Sequence, residues 1–385
     1  MWQLQGFDSD DFIRNYWQKK PCLIRNAFPE FESPISPEEL AGLACEEDVH
    51  CRLIIEKDGE TPWQLRYGPF AEDDFLQLPA SHYSLLVSEC EKWIPELSDL
   101  LDQFRFIPNW RIDDLMVSYA PEQGSVGPHV DEYDVFLLQA LGQRRWQYCE
   151  QRNADTTLIP NLDLAILSDF SPDQDVVLNP GDMLYLPPGL AHHGVALERC
   201  MTYSIGFRAP TAAMVLESFA LESDRLGFSA KRYADGDLEQ NRHSAEITGR
   251  EIERFRALVV ELFEQPDNLW VDSVGKLLSD SPAIQGPEQD QPVYLSDLHT
   301  GEWIHHPETR MLYHPATDAV HFYCNGQAYL LPQNQAVIDA LQLMCNHREW
   351  NDTIISQCLA LEALHPVLLE LATQGAILQI DDDKI

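Results

Sequence analysis

Basic residues are scarce in this chain: 26 Lys and Arg stand against 63 Asp and Glu, a formal net charge of −37. Such a surface repels phosphate backbones and acidic membranes, and it attracts cations and basic proteins. Long apolar runs are missing too, none approaching the about 18 residues that a membrane helix needs. The opening residues Met1-Trp2-Gln3-Leu4-Gln5-Gly6-Phe7-Asp8 lack the basic and apolar regions of a secretory signal. Paired cysteines are absent. The 9 cysteines are scattered, odd in number and never spaced Cys-x-x-Cys, which argues against a disulfide framework or a thiolate zinc site. These absences together predict a cytoplasmic protein in a reducing compartment. They exclude a membrane-spanning helix and weigh against a nucleic-acid reader.

What is present supports real cores. Across 385 residues, 44% are apolar, enough for two domains and a small third. Up to about residue 209 the pattern is rich in strands. Residues 8–20 read as an amphipathic helix carrying Phe12, Ile13, Tyr16 and Trp17, and 21–24 as a short strand. A short helix follows at 37–45, then two strands, 51–56 and 63–67, around the turn pair Asp58-Gly59. Segments 82–93 and 95–104 have helical spacing, and 115–120 reads as a strand. From 210 the period becomes helical over 212–226, 246–265 and 268–278, with Leu, Phe and Val faces suited to a packing layer or a dimer contact. Polar, Pro-rich 280–292 reads as a linker. Strands at 311–314, 320–324 and 327–331, helices at 333–346 and 352–373, and a last strand at 376–380 have the order of a winged helix. The domains predicted are therefore 1–209, 210–280 and 281–385.

The chemistry concentrates at Gly127-Pro128-His129-Val130-Asp131-Glu132-Tyr133-Asp134-Val135-Phe136-Leu137. A Gly/Pro loop enters an apolar strand, and strand period puts His129 and Asp131 on one face. That is two thirds of the 2-His-1-carboxylate triad that holds non-haem Fe(II) with open positions. By itself His-x-acid is weak; it recurs at His306-Pro307-Glu308 and His347-Arg348-Glu349. The decisive partner is Asn179-Pro180-Gly181-Asp182-Met183-Leu184-Tyr185-Leu186-Pro187-Pro188-Gly189-Leu190-Ala191-His192-His193-Gly194. A turn, a short strand and a second turn deliver a histidine to the next strand. Its spacing resembles the second cupin motif and favours His192, with His193 the alternative; Ala196 replaces the motif's usual Asn. Between these segments, Arg144 and Arg145 alternate, so only one faces inward. An inward guanidinium would take a carboxylate through its fork, whereas two solvated arginines at a strand edge are the plainer alternative. Thr202 and Ser204 share a face on the strand that follows.

The triad, the Asp-Glu-Tyr-Asp-Val-Phe run, Gln143-Arg144-Arg145-Trp146, the Pro-Gly-Asp to His192 block and Tyr203-Ser204-x-Gly-Phe-Arg208-Ala-Pro together resemble the bacterial ribosomal oxygenases. These are JmjC-type cupins that hydroxylate an arginine of large-subunit ribosomal protein sixteen, and the resemblance spans the whole chain. It implies an α+β protein: a double-stranded β-helix, a helical dimerisation region and a C-terminal winged-helix domain. It also implies Fe(II), with 2-oxoglutarate and O2 as cosubstrates, a basic ribosomal protein substrate and a homodimer. By position, the resemblance makes His129, Asp131 and His192 the iron ligands. Arg144 falls where relatives hold the distal carboxylate of 2-oxoglutarate, and Ser118 and Ser204 are further candidates for that cosubstrate. Gln143 departs from a basic residue common in relatives. For an arginine substrate, Tyr133, Asp113, Asp114 and Asp134 are the candidates near the barrel mouth. The alternative is a cupin-type ligand sensor with a DNA- or protein-binding winged helix. A DNA reader calls for a basic recognition helix, and 352–373 holds neither Lys nor Arg. No DNA binding and no membrane partner are therefore expected.

Overall fold

The computed structural model describes residues 2–59, 62–152, 157–237, 247–264, 267–281, 293–299 and 302–380. The chain divides into two units, Met1–Ala209 and Pro210–Ile385. The expected linker over 280–292 lies, from residue 282 on, outside the described residues, as do Asp381, Asp382 and Asp383.

The first unit contains twelve strands: β1 (Cys22–Ile24), β2 (Cys51–Ile55), β3 (Gln64–Tyr67), β4 (Tyr83–Val87), β5 (Ile112–Ala120), β6 (His129–Val130), β7 (Asp134–Leu141), β8 (Arg144–Tyr148), β9 (Gln174–Leu178), β10 (Met183–Leu186), β11 (Ala191–Ala196) and β12 (Cys200–Phe207). They form an eight-stranded sheet, β1-β10-β7-β12-β5-β4-β2-β3, and a four-stranded sheet, β6-β11-β8-β9. Every pairing in both is antiparallel. This is the double-stranded β-helix that the sequence led us to expect.

Alternation along β7 shows how the layers are built. Val135 and Leu137 pack between the sheets with Leu184, Leu186, Trp146, Tyr148 and Leu178. Phe136 and Leu138 point the other way, into a larger core shared with Phe12, Leu40, Leu97 and Leu100 from the N-terminal helices and with Phe104 just beyond them. A strand buried on both faces loses its polar positions and reads as a continuous apolar run.

The same burial explains a correction. Residues 82–93, expected as a helix, hold strand β4 and a 3-10 turn at Cys90–Lys92. Leu85 and Val87 enter the larger core while Leu86 faces the inter-sheet side, so the apolar run carries no period of two. Strand β9 carries no sequence signal either. Its residues are mostly half-exposed, and no apolar pattern marks it.

Asp134 is a second correction. It is fully buried, and it accepts from the Tyr185 hydroxyl at 2.6 Å, Gln18 Nε2 at 2.9 Å and Arg111 Nη2 at 2.9 Å. Its carboxylate belongs to the core beneath the barrel, and no oxygen is left for a substrate. Asp134→Ala strands the Arg111 guanidinium beside the Trp17 ring without its acid. We expect a loss of about 3–5 kcal/mol in chemical denaturation. Asp134→Asn, which keeps an acceptor, is expected to lose less.

In the second unit, the helices Ala212–Arg225 and Asp267–Ser279 lie together, with Phe219 and Trp270 rings 4.1 Å apart. Asp272 accepts from His321 Nδ1 and the Tyr323 hydroxyl, each at 2.9 Å, tying the second helix to a three-stranded sheet. That sheet (Met311–Pro315, Ala319–Cys324, Gln327–Pro332) and the helices that follow form the winged helix. The helix expected over 352–373 is broken. It ends at Leu359, turns at Glu362–Leu364 and restarts as His365–Thr373, bent by 98°. Pro366 is the reason: it has no amide hydrogen to give a preceding turn and fits only in the first turn of a new helix. Among the described residues, no single helix is long and apolar enough to cross a membrane.

Candidate metal centre

Strand pairing brings the distant segments together. In the small sheet, His192 of β11 lies directly opposite His129 of β6. Asp131, just past β6, completes the group, with its Oδ2 3.8 Å from His129 Nε2 and 3.6 Å from His192 Nε2. Among the described residues this is the one group of three or more His, Cys, Asp or Glu whose ligand atoms gather closely, all within 4.8 Å. The His-x-acid pairs at 306 and 347 join no such cluster.

Each imidazole is oriented from behind. His129 Nδ1 faces the Gly127 carbonyl at 2.9 Å, and His192 Nδ1 faces the Leu190 carbonyl at 3.0 Å. A carbonyl accepts only, so both Nδ1 atoms carry the hydrogen and both Nε2 lone pairs point to the common centre. Burial, then the neighbouring His129, pushes the His192 pKa down to about 4, which leaves its ring neutral and able to ligate at pH 7. The loop is held as well. Gly189 N donates to the Asp131 carbonyl at 2.7 Å, and the Ser125 hydroxyl accepts from Gly127 N at 3.0 Å. Gly127 sits at φ +82°, and a Cβ there would press on Ile166 at 3.0 Å.

His193 faces away from the cluster. Its Nε2 meets Ser125 Oγ at 2.9 Å, and its ring stands edge-on to Phe170. The choice between the two histidines therefore falls on His192, as spacing suggested. His193 supports the loop that carries His129.

The centre opens into a cavity of about 500 Å³. Arg144 lies on its wall, 2% exposed, with Arg145 outside in an ion pair with Asp175. Arg144 Nη2 donates to the Gly194 carbonyl at 3.2 Å, while Nε and Nη1 have no partner. Burial pulls its pKa below the usual arginine value. An unpaired buried cation is costly, so this side chain is built to receive an anion. Ser118, Thr202 and Ser204 line the same cavity. The Ser118 hydroxyl donates to the Thr202 carbonyl at 3.2 Å and the Thr202 hydroxyl to Gln139 Oε1 at 3.1 Å.

Among the substrate candidates, Asp114 and Tyr133 are on the cavity wall; Asp113 and Asp134 are not. Asp113 pairs with Arg208 at 2.9 Å on the outer side of β5. Burial, with Asp113 beside it, pushes the Asp114 pKa up to about 6, and Glu89 N donates to its Oδ2 at 3.3 Å.

One wall residue, and the glycine behind it, carry no mark of the site in the sequence. Trp146 shares the Arg144 face of β8, lies 5.1 Å under its guanidinium and stands 6.0 Å from the His192 ring. Gly194 leaves room for both: a Cβ there would be 2.7 Å from Arg144 Nε and 2.8 Å from the Trp146 ring. A glycine inside a strand allows such close approach.

The donor set fits a divalent metal. Ligand atoms about 2.1 Å from one centre, at right angles, are about 3 Å apart, so the two carboxylate–imidazole spacings close with a sub-ångström adjustment. Two neutral imidazoles, one carboxylate and open positions suit non-haem Fe(II).

Comparison with known proteins agrees with this geometry. Residues 99–215 match the JmjC domain model, and residues 242–377 match the ROXA-like winged helix. The ribosomal protein uL16 3-hydroxylase of Escherichia coli is 38% identical over 289 residues, 74% of this chain and 75% of its own length. A probable ribosomal oxygenase of Haemophilus influenzae is 45% identical over 210 residues, 54% of this chain and 52% of its own. The solved structure of the ribosomal oxygenase YcfD from Escherichia coli, in complex with cobalt and 2-oxoglutarate, superposes with a TM-score of 0.82 at 32% identity. That match covers 98% of this chain and 99% of the other. A second YcfD complex, with cobalt and succinic acid, gives a TM-score of 0.81.

Proposed function

This chain belongs to the JmjC-type ribosomal oxygenases, and from that membership we propose that it is an Fe(II)- and 2-oxoglutarate-dependent hydroxylase of an arginine side chain in large-subunit ribosomal protein uL16. The observation that carries the reading is one cavity holding both the His129/Asp131/His192 cluster and the unpartnered Arg144 fork. When bound, Fe(II) with 2-oxoglutarate and O2 supplies the oxidising power for C–H hydroxylation, with succinate and CO2 as the other products.

The protein's own residues bind and orient. His129, Asp131 and His192 hold the metal. Arg144 takes the distal carboxylate of the cosubstrate on Nε and Nη1, with Ser118 and Ser204 beside it on the wall. Asp114 faces the cavity as the acid for an incoming guanidinium. The approaching cation holds it ionised although burial works against the charge. Tyr133 stands on the same wall to frame the substrate's aliphatic stem. The charge of −37 draws a basic protein toward this mouth.

The reading includes a homodimer. Helix Gly249–Phe263 buries no residue of its own, and Ile252, Phe255, Val259 and Val260 are each about half exposed. Such an apolar stripe suits a second copy of the chain. The low cysteine pairing and acidic charge fit a cytoplasmic site of action.

The test is direct. The protein is incubated with Fe(II), 2-oxoglutarate and purified uL16, and the products are read by tandem mass spectrometry. We expect a gain of one oxygen atom on an arginine. Unmodified uL16, from enzyme that binds metal and cosubstrate, overturns the substrate assignment.

A further inference from the structure

The cavity is longer than its chemistry requires. Its floor is the inner face of the large sheet, where cross-strand partners line up: Thr202 of β12 opposite Ser118 of β5, Ser118 opposite Leu86 of β4, Leu86 opposite Arg52 of β2, and Arg52 opposite Tyr67 of β3. Alternation keeps His50, Arg52 and Ile54 on that floor, with Leu86 and Ser88 beside them. Arg52 is three strand spacings from Thr202, about 14 Å. A five-carbon dicarboxylate held at Arg144 ends well short of it.

The charges on the cavity wall differ in exposure. Arg144 is buried, Arg52 is exposed at the rim, and the metal cluster and Asp114 share the wall with them. Most arginines among the described residues are paired with carboxylates, as Arg25, Arg66, Arg111, Arg145 and Arg208 are. Among the described residues Arg144 and Arg52 are the arginines on the cavity wall, and neither has an acid partner. His50, by contrast, is engaged with Glu89 at 3.3 Å. Tyr67, 72% exposed, stands directly across from Arg52 on the edge strand of the sheet.

We propose that Arg52 and Tyr67 form a substrate subsite at the cavity rim, which grips an oxygen acceptor on the polypeptide flanking the hydroxylated residue. The proposal rests on the hydroxylase reading above and adds to it a second contact, distinct from Asp114. The acceptor is a carboxylate of the flank or a main-chain carbonyl; both present the oxygen that a guanidinium fork binds. A nucleic-acid phosphate offers the same oxygen, but the net charge disfavours it. With Asp114 on the guanidinium and Arg52 on the flank, the target side chain is held at two points. Register of the substrate over the metal then follows from the distance between them.

Arg52→Ala, Arg52→Glu and Tyr67→Ala are compared with the intact enzyme on uL16 protein and on peptides spanning its modified residue. Both Arg52 residue and Tyr67 side chain are exposed, so the variants should fold. For Arg52→Ala we expect KM for the polypeptide to rise about 10- to 100-fold, the range of one lost charge-assisted contact, with kcat and KM for 2-oxoglutarate held. Arg52→Glu should rise further, and Tyr67→Ala less. Peptides whose acids are replaced by amides identify the source. A vanishing Arg52 effect assigns a carboxylate, and a persistent one assigns a main-chain carbonyl. Polypeptide KM unchanged in both Arg52 variants overturns the subsite while leaving the hydroxylase reading intact. If the intact enzyme leaves uL16 unmodified, both fall together.

Discussion

His192→Ala is expected to abolish hydroxylation and remove high-affinity metal binding, with the fold intact. His192 is the most buried of the three ligands, 3% exposed, and its Nε2 has no use in the fold. Its Nδ1 contact to the Leu190 carbonyl spans two residues and contributes little to the barrel, which is held by the ladders around it. Loss of a hydrogen-bond partner of a metal ligand already costs ~10- to 100-fold in affinity or activity, so loss of the ligand itself should exceed that. Calorimetric titration with Co(II) or anaerobic Fe(II), next to circular dichroism of the same sample, separates a lost site from a lost fold. His193→Ala is the paired control in the adjoining position. It removes the prop on Ser125 and should reduce activity without abolishing metal binding. Equal metal affinity in His192→Ala and the intact protein would remove the basis for the metal centre.

Why these positions were legible, and others were not, follows from how each carries its signal. The metal segments announce themselves locally: a Gly/Pro loop before His129, and two turns before His192, both needed to aim a short strand at the barrel's interior. What no single segment shows is the register that sets His192 opposite His129. The homology of spacing supplied it. Strand β4 was hidden because it is buried on both faces, so that Leu85, Leu86 and Val87 carry no alternation. Among the acids, period alone distinguishes two of the four candidates. Once Ser118 is placed inward, Asp114 shares its parity on β5 and Asp113 does not. Asp134 is separated from Asp131 by a bend that breaks strand parity, and its true partners, Gln18, Arg111 and Tyr185, come from three distant parts of the chain. Tertiary contacts of that kind leave no trace in local pattern. Arg52 is hidden for a related reason: as an exposed arginine in a strand it looks like solvated surface until the sheet places it in line with Thr202.

Arg144→Met separates the two faces of a buried cation. In the protein alone, the guanidinium is desolvated, keeps one bond to the Gly194 carbonyl and leaves Nε and Nη1 unpartnered. A methionine of similar length fills the same space beside Trp146 with no charge to desolvate. Replacing an uncompensated buried charge by an apolar group is neutral or stabilising, so the melting temperature without cosubstrate should hold or rise. Binding reverses the sign. Two charge-assisted bonds to a carboxylate, at about 1.5–3 kcal/mol each, are lost together. Even about 3 kcal/mol in total raises KM for 2-oxoglutarate by ~100-fold. Added 2-oxoglutarate should therefore raise the melting temperature of the intact protein but not that of the variant, with metal affinity retained in both. Arg144→Lys keeps the charge but loses the fork, and should fall between the two. A role in structure alone predicts the opposite pairing: a lower melting temperature without ligand and an unchanged KM. That result would take the cosubstrate carboxylate away from Arg144.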